Sequence, residues 1–443
     1  MGVVCVMDML KPFRRLRKVR NSIAYLTSVI IAVYIGLAIA VVGVNVSNLP
    51  NFLKFISFDN PNTARTLLAT LIAGMISLVV FSFSMVMSVL TQAGSNFSNK
   101  LVFGLMTEKR HQHVLGHYLG TILYILILLL VPVRGDTPDT WRSLAVYLGA
   151  GMVINSLVLF VFFIHATSQS VQINAITQGL LRSTQSSLRK LKKRGEHSCY
   201  VNKCCDDNQK PCYYVYSRDS GYIQNADLEN LAELSRIKNM AIKLNFSFGD
   251  FVVKNFPIIS VFSTVSPCAD TQDKILSALK YVEGESTKDH YVNGLTQLME
   301  VAIKSLSPGI NDPGTARLCI HQITELMSQR LTLTPSNMII DKKGRCLVSW
   351  HVEKLDSLFF RVFNPILHYG GDDLSICLSL IKAFKTLSNF ADEEDKSTIQ
   401  RHAELVVKVL ADNCQDPLEV HFVEARLSEG IHCLSIPSKL PKN

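Results

Sequence analysis

Apolar residues form long unbroken runs in the first two fifths of the chain and periodic stripes after it. No Asp, Glu, Lys or Arg lies between Arg20 and Lys54, and the apolar run Ile23 to Val46 covers 24 residues. That is too long for a signal-peptide core and long enough to cross a bilayer with some tilt. Thr66 to Asn99 is again free of formal charge, and His117 to Val133 is a third apolar run that ends beside Pro132. Ser143 to Leu181 is a fourth. Its apolar part stops near His165, while its helical pattern runs on through Thr167, Ser168 and Gln169 to Ile173. The pattern therefore predicts four transmembrane helices within residues 1–181.

After residue 181 the pattern changes. Residues 182–212 read as a basic, cysteine-containing polar linker. A period of two predicts strands at Tyr213–Tyr216, Tyr222–Gln224, Met240–Phe246 and Phe251–Val261, with Asp227 capping a short helix between them. Residues 213–265 are thus expected to be a small β-rich module. Residues 266–435 read as mainly helical, with runs at Lys274–Val282, Leu295–Leu306, Ala316–Met327, Leu374–Leu387 and Ile399–Leu410 and one hairpin, Met338–Ile340 against Cys346–Trp350. Residues 436–443 read as a disordered tail. The expected fold class is an α-helical membrane protein: four transmembrane helices, then a mixed α+β cytoplasmic region with a small β-module.

Two of the helical runs meet at Ser305 to Ala316, where rare turn and cap signals coincide. Pro308-Gly309 stops the first helix, and Asp312 before Pro313 starts the second as an acceptor cap ahead of a residue that lacks an N–H. Ser307, Gly309, Asn311, Asp312 and Thr315 are the candidates there, either for a structural turn or for an anion at the new helix start.

Charge sets the orientation. The net charge is +9, and Lys and Arg gather at three places: Lys11 to Arg20, the stretch around Lys100 to Arg110, and Arg182 to Arg194. Fifteen basic residues on those segments face only Lys54, Arg65, Arg134 and Arg142 on the other two loops, which predicts both termini in the cytoplasm and a multi-pass protein of the cell (inner) membrane. Anionic lipid explains these clusters better than nucleic acid, because no aromatic-interleaved basic face is present. The 11 cysteines show no even framework, which suits a reducing compartment.

In the second apolar run Ser77, Ser84, Ser88, Thr91 and Ser95 share one helix face. Such a row permits close helix packing and can also line a polar path. Either use implies contact with other helices or with further copies of the chain, so a homo-oligomer is expected. His165 is a candidate partner of that row.

Ala64-Arg65-Thr66-Leu67-Leu68, Phe81-Ser82-Phe83-Ser84, Phe97-Ser98, the Leu115-Gly116 to Thr121 stretch with Tyr124, and above all Leu306 to Ala316 resemble in order and spacing a family of bacterial membrane proteins known as domain of unknown function 2254. The resemblance covers residues 20–390. At Asn99-Lys100 the chain departs from the Pro-Arg often seen in that family. What the resemblance implies is fold and location, not a reaction. The β-rich module is similar to lipoyl-type domains but lacks a Met-Lys-Met tip around Lys254, so no prosthetic group is expected there.

Metal and catalysis find little support. His197, Cys199, Cys204, Cys205 and Cys212 could in number close a zinc site, but their spacing lacks the usual close C-x₂₋₄-C pairs. Glu283, Glu285 and Asp289 lack calcium-loop spacing. There is no G-x-S-x-G, P-loop or G-x-G-x-x-G, and His290, His321, His351 and His368 are scattered. No cofactor is implied. Three function classes stay open: a channel or transporter with a cytoplasmic regulatory region, a membrane-anchored signalling or scaffolding protein, and a membrane-anchored enzyme.

Overall fold

The computed structural model describes residues 25–43, 61–96, 109–130, 140–170, 172–203, 211, 213–264, 268–282 and 290–441. The basic cluster at 11–20, Lys54, Lys100, Cys204, Cys205, Cys212 and the acidic stretch 283–289 lie outside them. The chain divides into two compact units, one of residues 1–95 and 101–172, the other of 96–100 and 173–443.

The first unit is built from α1 (Tyr25–Gly43), α2 (Pro61–Asn96), α3 (Lys109–Leu130) and α4 (Thr140–Ser170). Among the described residues Asn62–Val89, Gln112–Leu130 and Ser143–Ser168 are long and apolar enough to cross a membrane, and Leu26–Val41 is a shorter apolar helix. Ala38, Leu68, Tyr124, Ile125 and Val146 form a shared core. What lets α1 approach α3 closely is a pair of glycines one turn apart. A Cβ on Gly116 would stand 3.0 Å from Ile30, and one on Gly120 would stand 2.8 Å from the Tyr34 ring. Small residues four apart allow this approach where lipid offers no hydrophobic drive to association.

In the second unit α5 (Ile173–Gly195) comes first. Two expectations are corrected here. Helix α4 ends at Ser170 instead of running on through Ile173, which opens the next helix, and residues 182–195 are helix instead of linker. The reason is a stripe that the basic residues hide: Ile176, Leu180, Leu181 and Leu188, with Thr177, Thr184 and Ser187, are buried. They pack on α8 (Tyr291–Ser305) and α9 (Pro313–Leu331). Gly294 on α8 makes the crossing possible, because a Cβ there would overlap the Thr184 hydroxyl.

The β region is larger than residues 213–265. Strands β1 (Tyr200–Val201), β2 (Tyr213–Tyr216), β4 (Ala241–Ser247), β6 (Pro257–Phe262), β8 (Met338–Ile340) and β9 (Cys346–His351) form one sheet in the order β1-β8-β9-β4-β6-β2. A second sheet has β3 (Gly221–Ala226) between β5 (Phe251–Val252) and β7 (Leu279–Val282). The hairpin assigned to the helical region thus belongs to the main sheet, with β9 parallel to β4 through Ile242↔Val348. The run expected as one strand, Phe251–Val261, is broken at Asn255, whose φ is +65°. The helical run expected at 274–282 is α7 (Ala269–Ser277) followed by β7, because Leu279-Lys280-Tyr281-Val282 pairs antiparallel with β3. Ile223, Leu231, Ile242, Ile258, Ile259 and Val348 sit in one core, with α6 (Leu228–Lys238) packed on it.

The helical part contains α8, α9, α10 (Leu355–Gly370), α11 (Leu374–Ser388), α12 (Glu393–Asn413) and α13 (Pro417–Ser428). Helices α10 and α13 are absent from the pattern reading. Helix α10 carries Pro365 in its interior, yet Leu358, Phe359, Val362, Phe363 and Ile366 keep helical spacing and are buried. Residues 436–441 are tied down rather than free: the Leu440 N–H donates to Glu424 Oε1 at 3.1 Å.

Candidate functional site

The first unit holds a set of hydrogen-bonding groups on its apolar helices, running from exposed His113 through half-buried His117 to buried Thr121. Tyr34 Oη lies 2.7 Å from His117 Nδ1, and His117 Nε2 lies 3.2 Å from His113 Nε2. One turn further along α3, Thr121 Oγ1 donates to the His117 carbonyl at 2.8 Å and lies 3.4 Å from Ser156 Oγ on α4. Thr121 and Ser156 are fully buried. Helix geometry produces the alignment, since His113, His117 and Thr121 are each four residues apart on one face of α3. From His113 to Thr121 the row covers about 12 Å of helix axis. The chain therefore reaches from the end of an apolar helix toward its middle, with Tyr34 of α1 and Ser156 of α4 on its flanks. Deeper polar groups continue the theme. Tyr118 and Ser82 are buried among apolar neighbours.

The hydroxyl row of α2 lies elsewhere. Ala64, Leu68, Met75 and Ser82 face inward, at steps of four and seven. Ser77, Ser84, Ser88 and Thr91 are exposed on roughly the opposite side, joined by Thr66 and Thr70. The side chain of Ser95 lies outside the described residues. Ser77 Oγ and Thr91 Oγ1 donate to the carbonyls of Ala73 and Met87, at 3.0 and 2.9 Å. These two hydroxyls are satisfied within their own helix. His165 is exposed near the end of α4, and the histidines that lie within reach of each other are half-buried His117 and exposed His113 instead.

At the helix junction Asp312 caps α9. Its Oδ1 accepts the Thr315 N–H at 3.1 Å and its Oδ2 accepts the Thr315 hydroxyl at 2.6 Å, while the Asp312 N–H donates to the Ser305 carbonyl at 2.8 Å. Asn311 takes φ of +47°, a turn conformation that Asn tolerates. Ser307 Oγ donates to the Lys304 carbonyl at 2.7 Å. Gly309 stands in open space, and a Cβ on Gly314 would meet Asp312 Oδ1 at 3.1 Å. The carboxylate fills the place an anion would take at this helix start. Hydrogen bonds from Thr315 hold the Asp312 carboxyl below the usual carboxylate range.

Cys199 and His197 are exposed neighbours beside β1. Buried Cys319 and Cys377 are far from them in sequence, and burial pushes both thiols up to about 12.

The sequence signal for the Tyr34, His113, His117 chain is weak but present: His113-x-x-x-His117 opens the third apolar run, and Tyr34 is central in the first. What the sequence withholds is the crossing of α1 and α3 that joins them.

The chain matches, over residues 20–386, the family described as predicted membrane protein, domain of unknown function 2254. It is 23% identical over 363 residues to an uncharacterized protein of Mycobacterium bovis, and equally to one of Mycobacterium tuberculosis, covering 80% of this chain and 70% of each relative. No solved structure matches. With a match that takes in most of its length and an apolar helical unit to go with it, the chain belongs to the DUF2254 family of predicted membrane proteins.

Proposed function

We propose that this protein is a membrane conduit of the channel or transporter class, and that the Tyr34, His117, His113 chain is its proton-handling element. The observation that carries this reading is the alignment of His113, His117, Tyr34, Thr121 and Ser156 along apolar helices, from exposed His113 to buried Thr121 and Ser156. Ionisable groups on membrane-spanning helices are costly and concentrate on ion or proton paths. Histidine and tyrosine can pass a proton along a hydrogen bond, and histidine changes charge near neutral pH.

The conduit crosses the membrane four times with both termini cytoplasmic. Helix α1 supplies the fourth crossing: its 19 described residues span about 28 Å, close to the thickness of a hydrocarbon core. Copies of the chain associate through the outward hydroxyl stripe of α2, which lies opposite the face used for packing within the chain.

Proton or cation flux in proteoliposomes tests the reading. Flux above that of protein-free vesicles is expected, with loss in His117→Phe and in Tyr34→Phe while the protein stays monodisperse in detergent. No flux in the unmodified protein, or unchanged flux in both variants, refutes it. For sidedness, cysteines introduced at Asp59 and Asp136 are expected to label from outside only. A Ser84→Cys variant is expected to give disulfide-linked dimers on mild oxidation.

A regulatory reading of the second unit draws on a different observation, the cavity described next.

A further inference from the structure

A cavity of about 170 Å³ lies within the second unit, between one face of α5, the end of β4, the start of α8 and the end of β9. One buried polar atom among its lining residues has no partner. His290 Nδ1 is sealed from bulk solvent and accepts or donates no hydrogen bond. Ser187 and Ser336, both buried residues, also line the cavity. Buried polar groups are almost always paired, so an open imidazole nitrogen on a residue that lines this space points to an occupant.

Gly249 packs beside His290. This residue has φ of +103°, and a Cβ on it would stand 3.7 Å from Nδ1. His290 itself is neutral at physiological pH, since burial and the Arg361 charge push it down to about 4. It therefore offers one N–H and one lone pair rather than a charge.

The charge at the cavity is cationic. Lys190 and Arg194 line it from α5, one turn apart. The carboxylate beside them, Glu353, is engaged by Arg361 at 2.9 Å. Aromatic side chains supply much of the remaining wall: Phe248, Tyr291 and Trp350. Tyr291 is held in place by Arg330, whose Nε donates to its hydroxyl at 3.0 Å. In size the space is comparable to an apolar cavity of about 150 Å³ that accepts benzene.

We propose that this cavity is a binding site for a small planar aromatic carboxylate, its ring against Trp350 and Phe248 and its carboxylate toward Arg194. His290 and the two serines then bond the ring substituents or the second carboxylate oxygen. This inference is independent of conduction by the first unit, because every group it uses belongs to the second.

The chain has two tryptophans, Trp141 and Trp350, so Trp141→Phe leaves the cavity residue as sole emitter. Full-length Trp141→Phe protein in detergent is titrated with benzoate and with 4-hydroxybenzoate, and Trp350 fluorescence is followed. A saturable change is expected with both. In the same background Arg194→Ala and His290→Phe are each expected to weaken binding by about tenfold, the size of one lost charge-assisted or buried hydrogen bond. Arg194 is exposed, so its variant remains informative if His290→Phe folds poorly. Inorganic phosphate and cyclohexanecarboxylate serve as comparators. Phosphate equal to benzoate would reduce the site to an anion contact and overturn the proposal, as would cyclohexanecarboxylate binding as tightly as benzoate. No saturable response to any aromatic acid, or unchanged affinity in both variants, would mean the cavity holds only water.

Discussion

Replacing Gly120 by alanine tests the packing that assembles the histidine chain. The added methyl would lie 2.8 Å from Tyr34 Cγ and 3.1 Å from both Cδ atoms. Carbon atoms prefer separations of about 3.5–4.0 Å, so the ring must retreat by about 0.7 Å. Its hydroxyl sits 2.7 Å from His117 Nδ1, and a retreat of that size brings the bond close to its geometric limit. Overpacking of this kind costs roughly 1–3 kcal/mol. A lost interhelical hydrogen bond within a membrane adds roughly 0.6 kcal/mol. The expected destabilisation is therefore about 2–3 kcal/mol.

The informative comparison is a double-mutant cycle, measured by reversible unfolding in mixed micelles. In a Tyr34→Ala background the clash has no partner, and Gly120→Ala should cost little or nothing. In a Tyr34→Phe background the ring remains, so most of the penalty should persist. Coupling between contacting residues ordinarily reaches 0.5–3 kcal/mol, roughly, and this pair should lie in the upper part of that range. Equal penalties in the Tyr34 and Tyr34→Ala backgrounds would refute the close α1 to α3 approach, and with it the origin of the histidine chain.

Asp312→Ala should lower the stability of the second unit by about 1 kcal/mol, as lost N-caps do. The Asp312 carboxyl is held below its ordinary value in the folded state, so its contribution is present above the unfolded carboxylate pKa and lost as pH falls through the folded one. Acid titration of the melting temperature should accordingly converge for wild type and variant, and a gap that widens at low pH would contradict the cap. Gly294→Ala should disrupt the packing of α5 on α8, since its methyl would stand 2.8 Å from the Thr184 Cβ as well as overlapping the hydroxyl. Thr184→Gly should restore much of the melting temperature, and failure to do so would contradict this crossing. Thiol alkylation at neutral pH, read by peptide mass spectrometry, should modify exposed Cys268 early, its thiol lowered by a hydrogen bond from Thr271. Cys319 and Cys377 should react only after unfolding, because burial raises both, and early modification of either would contradict the core packing.

What the sequence determines by itself is whatever depends on neighbours three or four residues away. The apolar runs, the Asp312 cap before Pro313 and the stripes of α8, α9, α11 and α12 are of this kind, because helix formation and capping are local. Elements whose partners are distant were less legible. Helix α5 reads as a basic linker because its buried stripe mixes Thr184 and Ser187 with leucines, and that stripe finds its meaning only against α8 and α9. Strand β9 belongs to β4 through a parallel pairing across about a hundred residues, which no periodicity announces. Helix α10 is obscured by Pro365, whose cost the burial of Phe359, Phe363 and Ile366 offsets. The two candidate sites are likewise tertiary. His290 and His351 look scattered along the chain, and the fold places both at one cavity. His117 acquires its partner Tyr34 only because Gly116 and Gly120 let two helices approach. Side-chain chemistry is written in the sequence, but the convergence of groups more than 80 residues apart, such as Tyr34 and His117, is decided by packing.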